Sequence, residues 1–217
     1  MKTVLALVLL MVGLGGSPCN KEKETCTLIT TGTQTFMDKN LVVVTYRNGD
    51  AIPQVTDGTA WVSLTTGAWC HYNNDPANDT IYGKLYNWYA VNDPRGLAPN
   101  GWHIPTVAEW TCFGISLGGI GVAGGKMKTT GTSRWNSPNT GATNESRFAG
   151  LPGGFRRGKN NIGVGGFGDI GNGGYWWSNA ERDSDGAWNS ALYYASTVLI
   201  SNSAGKSVGC SVRCLRD

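Results

Sequence analysis

Apolar and polar residues follow two different periods along the chain. From Leu28 to Tyr46, short apolar runs alternate with turn residues, and the run LVVVTY at 41–46 is typical of a strand. Between Thr80 and Val91 the apolar residues recur at helical spacing instead, which predicts one amphipathic helix over these residues. The residues that would anchor this helix are Ile81, Leu85, Trp88 and Tyr89.

A second helix is predicted to start at Thr106 and to end at Gly118. Its first residues, TVAE, form a capping box, in which the Thr106 hydroxyl and the Glu109 carboxylate each satisfy a free backbone N–H. After Gly118 we find no further helical period, so the pattern predicts loops and short strands, with alternation from Trp188 to Ile200. Strands, two helices and a long glycine-rich region predict an α+β domain.

The first residues predict export. Lys2 is followed by the apolar run TVLALVLLMVGLGG and then by small residues, which is the pattern of a secretion signal. Cys19 stands where a lipoprotein is cleaved and acylated, but Pro18 is unusual before that cleavage, so lipidation and ordinary cleavage both stay open. We expect a signal peptide at 1–18, a polar tether at 19–27 and one domain at 28–217. The protein would reach the bacterial cell surface or the outer membrane, attached through a lipidated Cys19, or else be secreted.

Composition narrows the kinds of partner. The formal net charge is +3 and the charges are scattered, whereas nucleic acid needs a clustered basic face, so no nucleic-acid partner is expected. Glycine accounts for 32 of 217 residues, about twice its usual share of roughly 7%. Such a density favours tight turns and close backbone approaches. The six cysteines permit disulfides in an exported chain.

The candidate catalytic and metal-binding groups form no recognisable motif. His71 and His103 are the only histidines, which excludes a His-rich metal site, and we expect no metal and no cofactor. A glycosidase would need two carboxylates across one cleft, and the spacing of the carboxylates selects no pair. The segment GIGVAG at 119–124 fits a dinucleotide-binding pattern, but it follows a helix instead of a strand, so a flexible turn is favoured. The nine tryptophans could stack on sugars, yet most are expected in the core.

Four strings carry a resemblance to a known family: YGKLYNWYAVNDPRGLAPNGWHIPTVAEW, AGGKMKTTGTSRWNSPNTGATNESRFAGLPGGFR, GYWWS and SVRCLRD. With them, the chain resembles the Fibrobacter succinogenes major paralogous domain, a family of exported bacterial proteins with a C-type-lectin-like fold, from about Thr30 to Asp217. The resemblance implies a C-type-lectin-like domain with two helices, short antiparallel strands and long glycine-rich loops. Calcium-dependent lectins use EPN or QPD with WND, whereas this chain has WNS twice and neither tripeptide.

The alternation from Trp188 to Ile200 predicts a ligand surface. Alternate residues of a strand face opposite sides, so Leu192 and Val198 are expected in the core and the other set outside. Residues 189–205 carry no formal charge, which is typical of a contact surface, and the preceding turn would supply a charged rim. The predicted ligand-binding residues are Arg182, Asp183, Asp185, Asn189, Ala191, Tyr193, Ala195, Thr197 and Leu199.

The resemblance also raises the hypothesis of a variable protein of a diversity-generating retroelement. In the family the outward set is often asparagine, and replacement of adenines in asparagine codons yields the residues found here. Ordinary drift on an exposed strand explains the same mixture, so both interpretations stay open. An adenine-rich near-copy of the codons for residues 178–214, beside a reverse transcriptase gene, would distinguish them.

Two cysteines depart from the family pattern. The family usually shows GFSVRC where this chain has GCSVRC, and a threonine is common at the position of Cys112. The resemblance therefore implies that Cys112 and Cys210 pair, and that Cys70 and Cys214 are the usual pair of the family. The sequence alone does not fix the connectivity.

These observations predict an exported, non-catalytic protein that binds a surface protein or a glycan. The alternatives are an enzyme, either glycan-active or similar to formylglycine-generating enzymes, and a structural envelope protein. A pocket that holds two carboxylates with shifted pKa values, away from the last strands, would favour an enzyme. No motif marks the reactive cysteine pair that a formylglycine-generating enzyme needs.

Overall fold

The computed structural model describes residues 34–159 and 164–217, so the predicted signal peptide, the tether and Cys19 lie outside the described residues. The α-helices are α1 (Gly58–Val62), α2 (Asp79–Tyr82), α3 (Trp88–Val91), α4 (Val107–Ser116) and α5 (Ile120–Met127), and two short 3-10 helices span Tyr72–Asn74 and Pro76–Asn78. The strands are β1 (Trp69–Cys70), β2 (Leu85–Tyr86), β3 (Trp102–His103), β4 (Gly153–Arg156), β5 (Phe167–Ile170), β6 (Gly173–Glu181), β7 (Gly186–Tyr193), β8 (Ile200–Gly205) and β9 (Leu215–Arg216). This combination confirms the α+β class.

A five-stranded sheet dominates the second half of the chain. Its strand order is β5-β4-β6-β7-β8, and neighbouring strands are antiparallel except for β4 and β6, which are parallel. Two further antiparallel pairs, β1 with β2 and β3 with β9, join distant parts of the chain.

Both faces of the central strands are buried. On β6, Trp176 packs with helices α4 and α5, whereas its neighbours Tyr175 and Trp177 face the opposite core. On β7, Leu192 lies on the helix side and Ala191 on the other, as period-two alternation requires. Of the nine tryptophans, those that are buried are Trp61, Trp69, Trp88, Trp110, Trp135, Trp176 and Trp177, which confirms that most belong to the core.

The capped helix forms as predicted. Thr106 is the N-cap residue of α4, and both hydrogen bonds of the capping box with Glu109 are present. The helix ends at Ser116, close to the predicted end at Gly118. Trp110 and Phe113 point from α4 into the core that covers the sheet.

The single helix predicted from Thr80 to Val91 is wrong. The chain forms α2, breaks at Gly83, forms β2 and then starts α3. Gly83 has φ of 74°, a left-handed conformation that ends the helix, and a Cβ there would lie 2.7 Å from the Cβ of Asn40. Tertiary packing against the segment around Asn40 therefore overrides the helical spacing.

The prediction that no helix follows Gly118 is also wrong. Helix α5 starts at Ile120, directly after the end of α4, and includes most of the GIGVAG segment that was interpreted as a flexible turn. Gly119 is its N-cap and provides no side-chain cap, so the usual start signal is missing from the sequence. Ala123 and Met127 of α5 are buried in the core on the helix side of the sheet.

The single strand predicted from Trp188 to Ile200 is in fact two strands. Strand β7 ends at Tyr193, residues 194–199 form a loop, and β8 returns antiparallel to β7. The loop is fixed by the ammonium of Lys128, which donates to the carbonyl oxygens of Tyr193 (2.9 Å) and Ser196 (2.8 Å). Alternation therefore holds up to Tyr193 and fails beyond it: Leu199 is buried, and Val198 is only partly buried.

Among the described residues, we find no single helix that is long and apolar enough to cross a membrane. Helices α4 and α5 reach the required length and hydropathy only as a pair, and an angle of 86° separates them.

Candidate functional site

A cleft of about 450 Å³ lies over the five-stranded sheet, on the face opposite helices α4 and α5. Strands β4 to β8 all contribute to its walls, and the segment that follows β8 closes one side with Val208 and Cys210. The volume is in the range of small-molecule sites. The lining side chains that shape the cleft chemically are Phe155, Asp169, Tyr175, Asn189, Tyr193 and Asn202.

Two asparagines stand side by side in the wall of the cleft. Asn189 on β7 is directly opposite Asn202 on β8, and Trp177 on β6 completes the row. Asn189 is only 2% exposed, and its Oδ1 has no hydrogen-bond partner within the part of the chain that the structure describes. An unpaired polar atom of this kind costs about 1–3 kcal/mol, and such groups are rare in stable proteins. Asn189 is therefore the strongest sign of a ligand site in the cleft.

Three aromatic rings form one end of the cleft. The rings of Phe155 and Tyr175 are 5.2 Å apart at 81°, and those of Tyr175 and Tyr193 are 5.7 Å apart at 87°. Ala191 lies opposite Tyr175 on the neighbouring strand. The rings therefore meet edge to face and make a corner instead of a flat platform.

Asp169 contributes the charge of the cleft. Its carboxylate accepts a short hydrogen bond from the Tyr175 hydroxyl. Burial and this carboxylate raise the pKa of Tyr175, so the phenol keeps its proton. Asp169 adopts φ of 63°, a conformation that is uncommon for residues other than glycine, asparagine and aspartate. Strained residues of this kind cluster at functional sites.

The predicted charged rim belongs to the turn between β6 and β7. Asp183 Oδ1 accepts hydrogen bonds from the backbone N–H groups of Asp185 and Gly186, so it shapes the turn. These bonds and the Arg182 guanidinium lower the pKa of Asp183. Arg182 also donates to the Ser203 hydroxyl (2.6 Å), which ties the turn to β8 beside the cleft.

The other predicted contact residues divide into three groups. Asn189 and Tyr193 line the cleft. Ala195 is exposed on the loop after β7, and the Thr197 hydroxyl of that loop donates to the Gly121 carbonyl (2.8 Å). The structure contradicts the predicted outward position of two residues, because it buries Ala191 and Leu199 in opposite cores. The loop at 194–199 breaks the alternation for Leu199, and Ala191 lies on a sheet face that is itself covered.

Sequence reasoning missed four of the six side chains that shape the cleft chemically: Phe155, Asp169, Tyr175 and Asn202. Asp169 lies in the stretch GFGDIGNGG, where an aspartate among glycines is the one available signal of an unusual backbone. Tyr175 belongs to GYWWS, which the sequence marks only as a family string.

The two predicted disulfides are wrong. Cys70, Cys210 and Cys214 are free thiols, so Cys210 does not pair with Cys112, and Cys70 does not pair with Cys214. Burial raises the pKa of Cys70 and of Cys214 to about 12 and also raises that of Cys210. These three thiols therefore stay protonated, and buried thiols of this kind are poor nucleophiles.

A second cleft of about 450 Å³ lies near Asn40 and Asp79. Its two central polar groups, Asn40 and Asp79, already have partners within the protein. Asn40 Oδ1 accepts from the Trp176 indole and from Arg213 (both 2.8 Å), and the Asp79 carboxylate contacts His71 and Lys84. This second cleft is therefore a weaker candidate for a ligand site than the cleft at Asn189. Among the residues that the structure describes, no group of three or more His, Cys, Asp or Glu could hold a metal ion.

Comparison with known proteins gives one family. The model of the Fibrobacter succinogenes major domain matches residues 29–216, a range that contains the whole sheet and the cleft. No match is found among curated proteins or among solved structures.

Proposed function

The chain belongs to the Fibrobacter succinogenes major domain family, and from this premise we propose that it is an exported, non-catalytic ligand-binding protein with a C-type-lectin-like fold. We place its ligand in the cleft at Asn189 instead of on an outward strand face. The observation that carries the proposal is the buried Asn189 carboxamide, whose Oδ1 lacks a partner in the wall of an open cleft.

Binding is favoured over catalysis by the chemistry of the cleft. Asp169 is the one carboxylate among the described residues that line the cleft, whereas glycosidases use a pair. Cys210 lines the same cleft, but burial raises its pKa and so disfavours the thiolate that a formylglycine-generating-like reaction would need. A ligand in the cleft would supply the missing partner of the Asn189 carboxamide, and this favours a binding protein over a purely structural envelope protein.

The proposal is tested with Asn189→Leu, a substitution of similar shape. Because the carboxamide has an unpaired atom in the folded protein, leucine should leave the free energy of unfolding unchanged or raise it. Saturation-transfer NMR would use monosaccharides, amino acids and short diamines as probes. A probe that binds through the cleft should bind about tenfold more weakly to the variant, which corresponds to one lost hydrogen bond.

Asn179→Leu is the matched control, because Asn179 is exposed on β6 and does not line the cleft. It should leave the binding of every probe unchanged. If Asn189→Leu lowers stability and alters no probe's binding, Asn189 is a structural residue and the proposed site is wrong.

We also propose that the chain is exported and attached to the outer membrane through an acylated Cys19. Palmitate labelling of the full chain in a bacterial host, with Cys19→Ala as the comparison, tests this attachment. Label on the wild type alone supports it, and an unlabelled but processed wild type contradicts it. Diversification by a retroelement stays a hypothesis, and the buried positions of Ala191 and Leu199 make these two unsuitable as variable contact residues.

A further inference from the structure

We propose that the cleft recognises a protonated amine, and that Asp169 is the residue that binds its charge. The inference rests on the proposed function and adds the chemical class of the ligand. Its source would be either a free amine or a lysine side chain of a partner protein, since both present the same ammonium group.

The charge of the lining supports a cationic ligand. Asp169 lies in the cleft, and among the described residues that line it none is Lys or Arg. Two arginines lie near the cleft, and each has a partner within the protein. Arg157 lies 5.9 Å from the Phe155 ring and donates to the Phe167 carbonyl (2.6 Å). Arg182 donates to the lining residue Ser203, and its charge is paired with Asp183. Because Arg182 is already paired with Asp183, an anionic ligand would be repelled by the Asp169 carboxylate, whereas an ammonium would be attracted to it.

The Asp169 carboxylate has capacity left for a ligand. Tyr175 donates to Oδ2, and we find no hydrogen bond to Oδ1 among the described residues. Tyr175 keeps its proton, so its hydroxyl donates to Asp169 and carries no negative charge. Asp169 is therefore the group of this pair that attracts a cation. The unpaired Oδ1 of Asn189 adds a neutral acceptor in the same cleft. Acceptors of this kind match the several N–H donors of an ammonium group.

The angles between the aromatic rings distinguish an ammonium ligand from a sugar ligand. A pyranose ring stacks on one flat, open aromatic face, but the rings of Phe155, Tyr175 and Tyr193 stand at 81° and 87° to their neighbours. A compact cation needs only the negative face of one ring within about 6 Å, so it does not require the flat platform that this cleft lacks. The geometry therefore favours an amine over a saccharide.

The test compares cadaverine with its neutral analogue 1,5-pentanediol on the full-length protein, by NMR titration of the cleft resonances. Nα-acetyl-lysine methylamide represents a lysine of a partner protein, and methyl glucoside represents a sugar. We expect cadaverine or the lysine probe to bind at least about tenfold more tightly than pentanediol and methyl glucoside, because each of these two lacks the charge. The tighter of the two amine probes identifies the source.

Asp169→Asn removes the charge with little change in structure. Asparagine tolerates the left-handed conformation at this position, and its side-chain oxygen can still accept from Tyr175. The variant should bind the amine probes at least about tenfold more weakly. Asp57→Asn is the control for net charge, since Asp57 is an exposed helix N-cap outside the cleft and asparagine caps equally well.

Two outcomes would overturn the proposal. If pentanediol or methyl glucoside binds as tightly as cadaverine in an Asn189-dependent manner, the cleft is a binding site but not for amines. If cadaverine and the lysine probe leave the cleft resonances unchanged, the amine is not recognised, and the Asn189→Leu screen then decides separately whether the cleft binds any ligand.

Discussion

Buried cations at single positions hold the loops of this protein together through backbone carbonyls. Arg156 donates to the carbonyls of Val55, Thr56 and Gly165, and its guanidinium lies 4.4 Å from the Trp61 ring. Arg213 donates to the Phe148 carbonyl, and burial lowers its pKa to about 9. A chain rich in loops leaves many carbonyls outside regular structure, and each buried one needs a donor. One long cationic side chain supplies several donors at once.

Lys128 gives the clearest prediction at the residue scale. Its ammonium donates to the carbonyls of Thr140, Tyr193 and Ser196 at 2.8–2.9 Å, and burial lowers its pKa to about 8. Lys128→Met keeps the length of the side chain but leaves all three carbonyls without this donor. We expect the free energy of unfolding, measured by urea denaturation, to fall by about 2 kcal/mol.

Lys126→Met is the matched control, because among the described residues the Lys126 ammonium pairs only with the exposed Glu145, at 3.3 Å. This change should alter the free energy of unfolding by no more than about 0.5 kcal/mol. Equal effects of the two substitutions would show that the three carbonyls do not depend on Lys128.

At the scale of elements, helix α5 exists because its glycines allow close packing. A Cβ at Gly124 would lie 2.4 Å from the Val198 carbonyl oxygen, and one at Gly125 would lie 2.4 Å from the Gly141 carbonyl oxygen. The helix thereby contacts both the loop after β7 and the loop at 141. Each glycine lowers helix propensity by about 1 kcal/mol. The glycines therefore stabilise α5 in the fold through close packing, although they make the helix hard to predict from the sequence.

Alanine substitutions separate propensity from packing within this one helix. At Gly121 no atom lies within 4 Å of an added Cβ, so Gly121→Ala should raise the free energy of unfolding, by up to about 1 kcal/mol. Gly124→Ala gains the same propensity but forces the Val198 backbone to move, and it should lower the free energy of unfolding by about 1–3 kcal/mol. Thermal and urea denaturation of both variants measure this. If Gly124→Ala instead raises the free energy of unfolding, the loop at 194–199 can move away from the added methyl group without loss of stability.

At the scale of the whole molecule, the C-terminal end is fastened to the middle of the chain and to its first described residues. Strand β9 pairs with β3, and Leu215 bridges to Phe36. His103 on β3 joins this junction, because Nδ1 contacts Asp217 Oδ1 at 2.7 Å and Nε2 contacts Glu109 Oε1 at 2.9 Å. The same Glu109 belongs to the capping box of α4. Through His103, this carboxylate connects the helix cap to Asp217.

This junction predicts a pH dependence of stability. Burial lowers the pKa of His103, but the hydrogen bonds and charges of Asp217 and Glu109 outweigh it, so the pKa is raised above the usual histidine value of 6.5. A raised pKa in the folded state means that this stabilisation is fully present below about pH 6.5 and is lost as the pH rises through the folded value. The urea midpoint of the wild type should therefore fall as the pH increases above 6.5, and His103→Gln should flatten that slope.

Asp217→Asn provides a second variant for the same measurement, since it removes one of the two carboxylates that raise the pKa of His103. Its slope should lie between those of the wild type and His103→Gln. Identical slopes for all three proteins would show that His103 has the same pKa in the folded and unfolded states.

The sequence by itself determined the features whose signals lie within a few residues of one another. The capping box at Thr106 and Glu109 could be predicted because both partners belong to one helical turn. The inward position of Leu192 could be predicted from the alternation along one strand. The α+β class and the family also followed from the sequence, through local periods and long strings.

Only the tertiary structure decided the remainder, because the deciding contacts join distant residues. Gly83 breaks a helical pattern because Asn40 packs against it, and α5 forms around glycines because loops far along the chain cover them. Lys128 lies 65 positions before Tyr193, and its hydrogen bond to the Tyr193 carbonyl ends the alternation there. The cleft brings Asp169 and Asn189 together from different strands, and nothing local distinguishes an asparagine with an unpaired oxygen from one that is solvated.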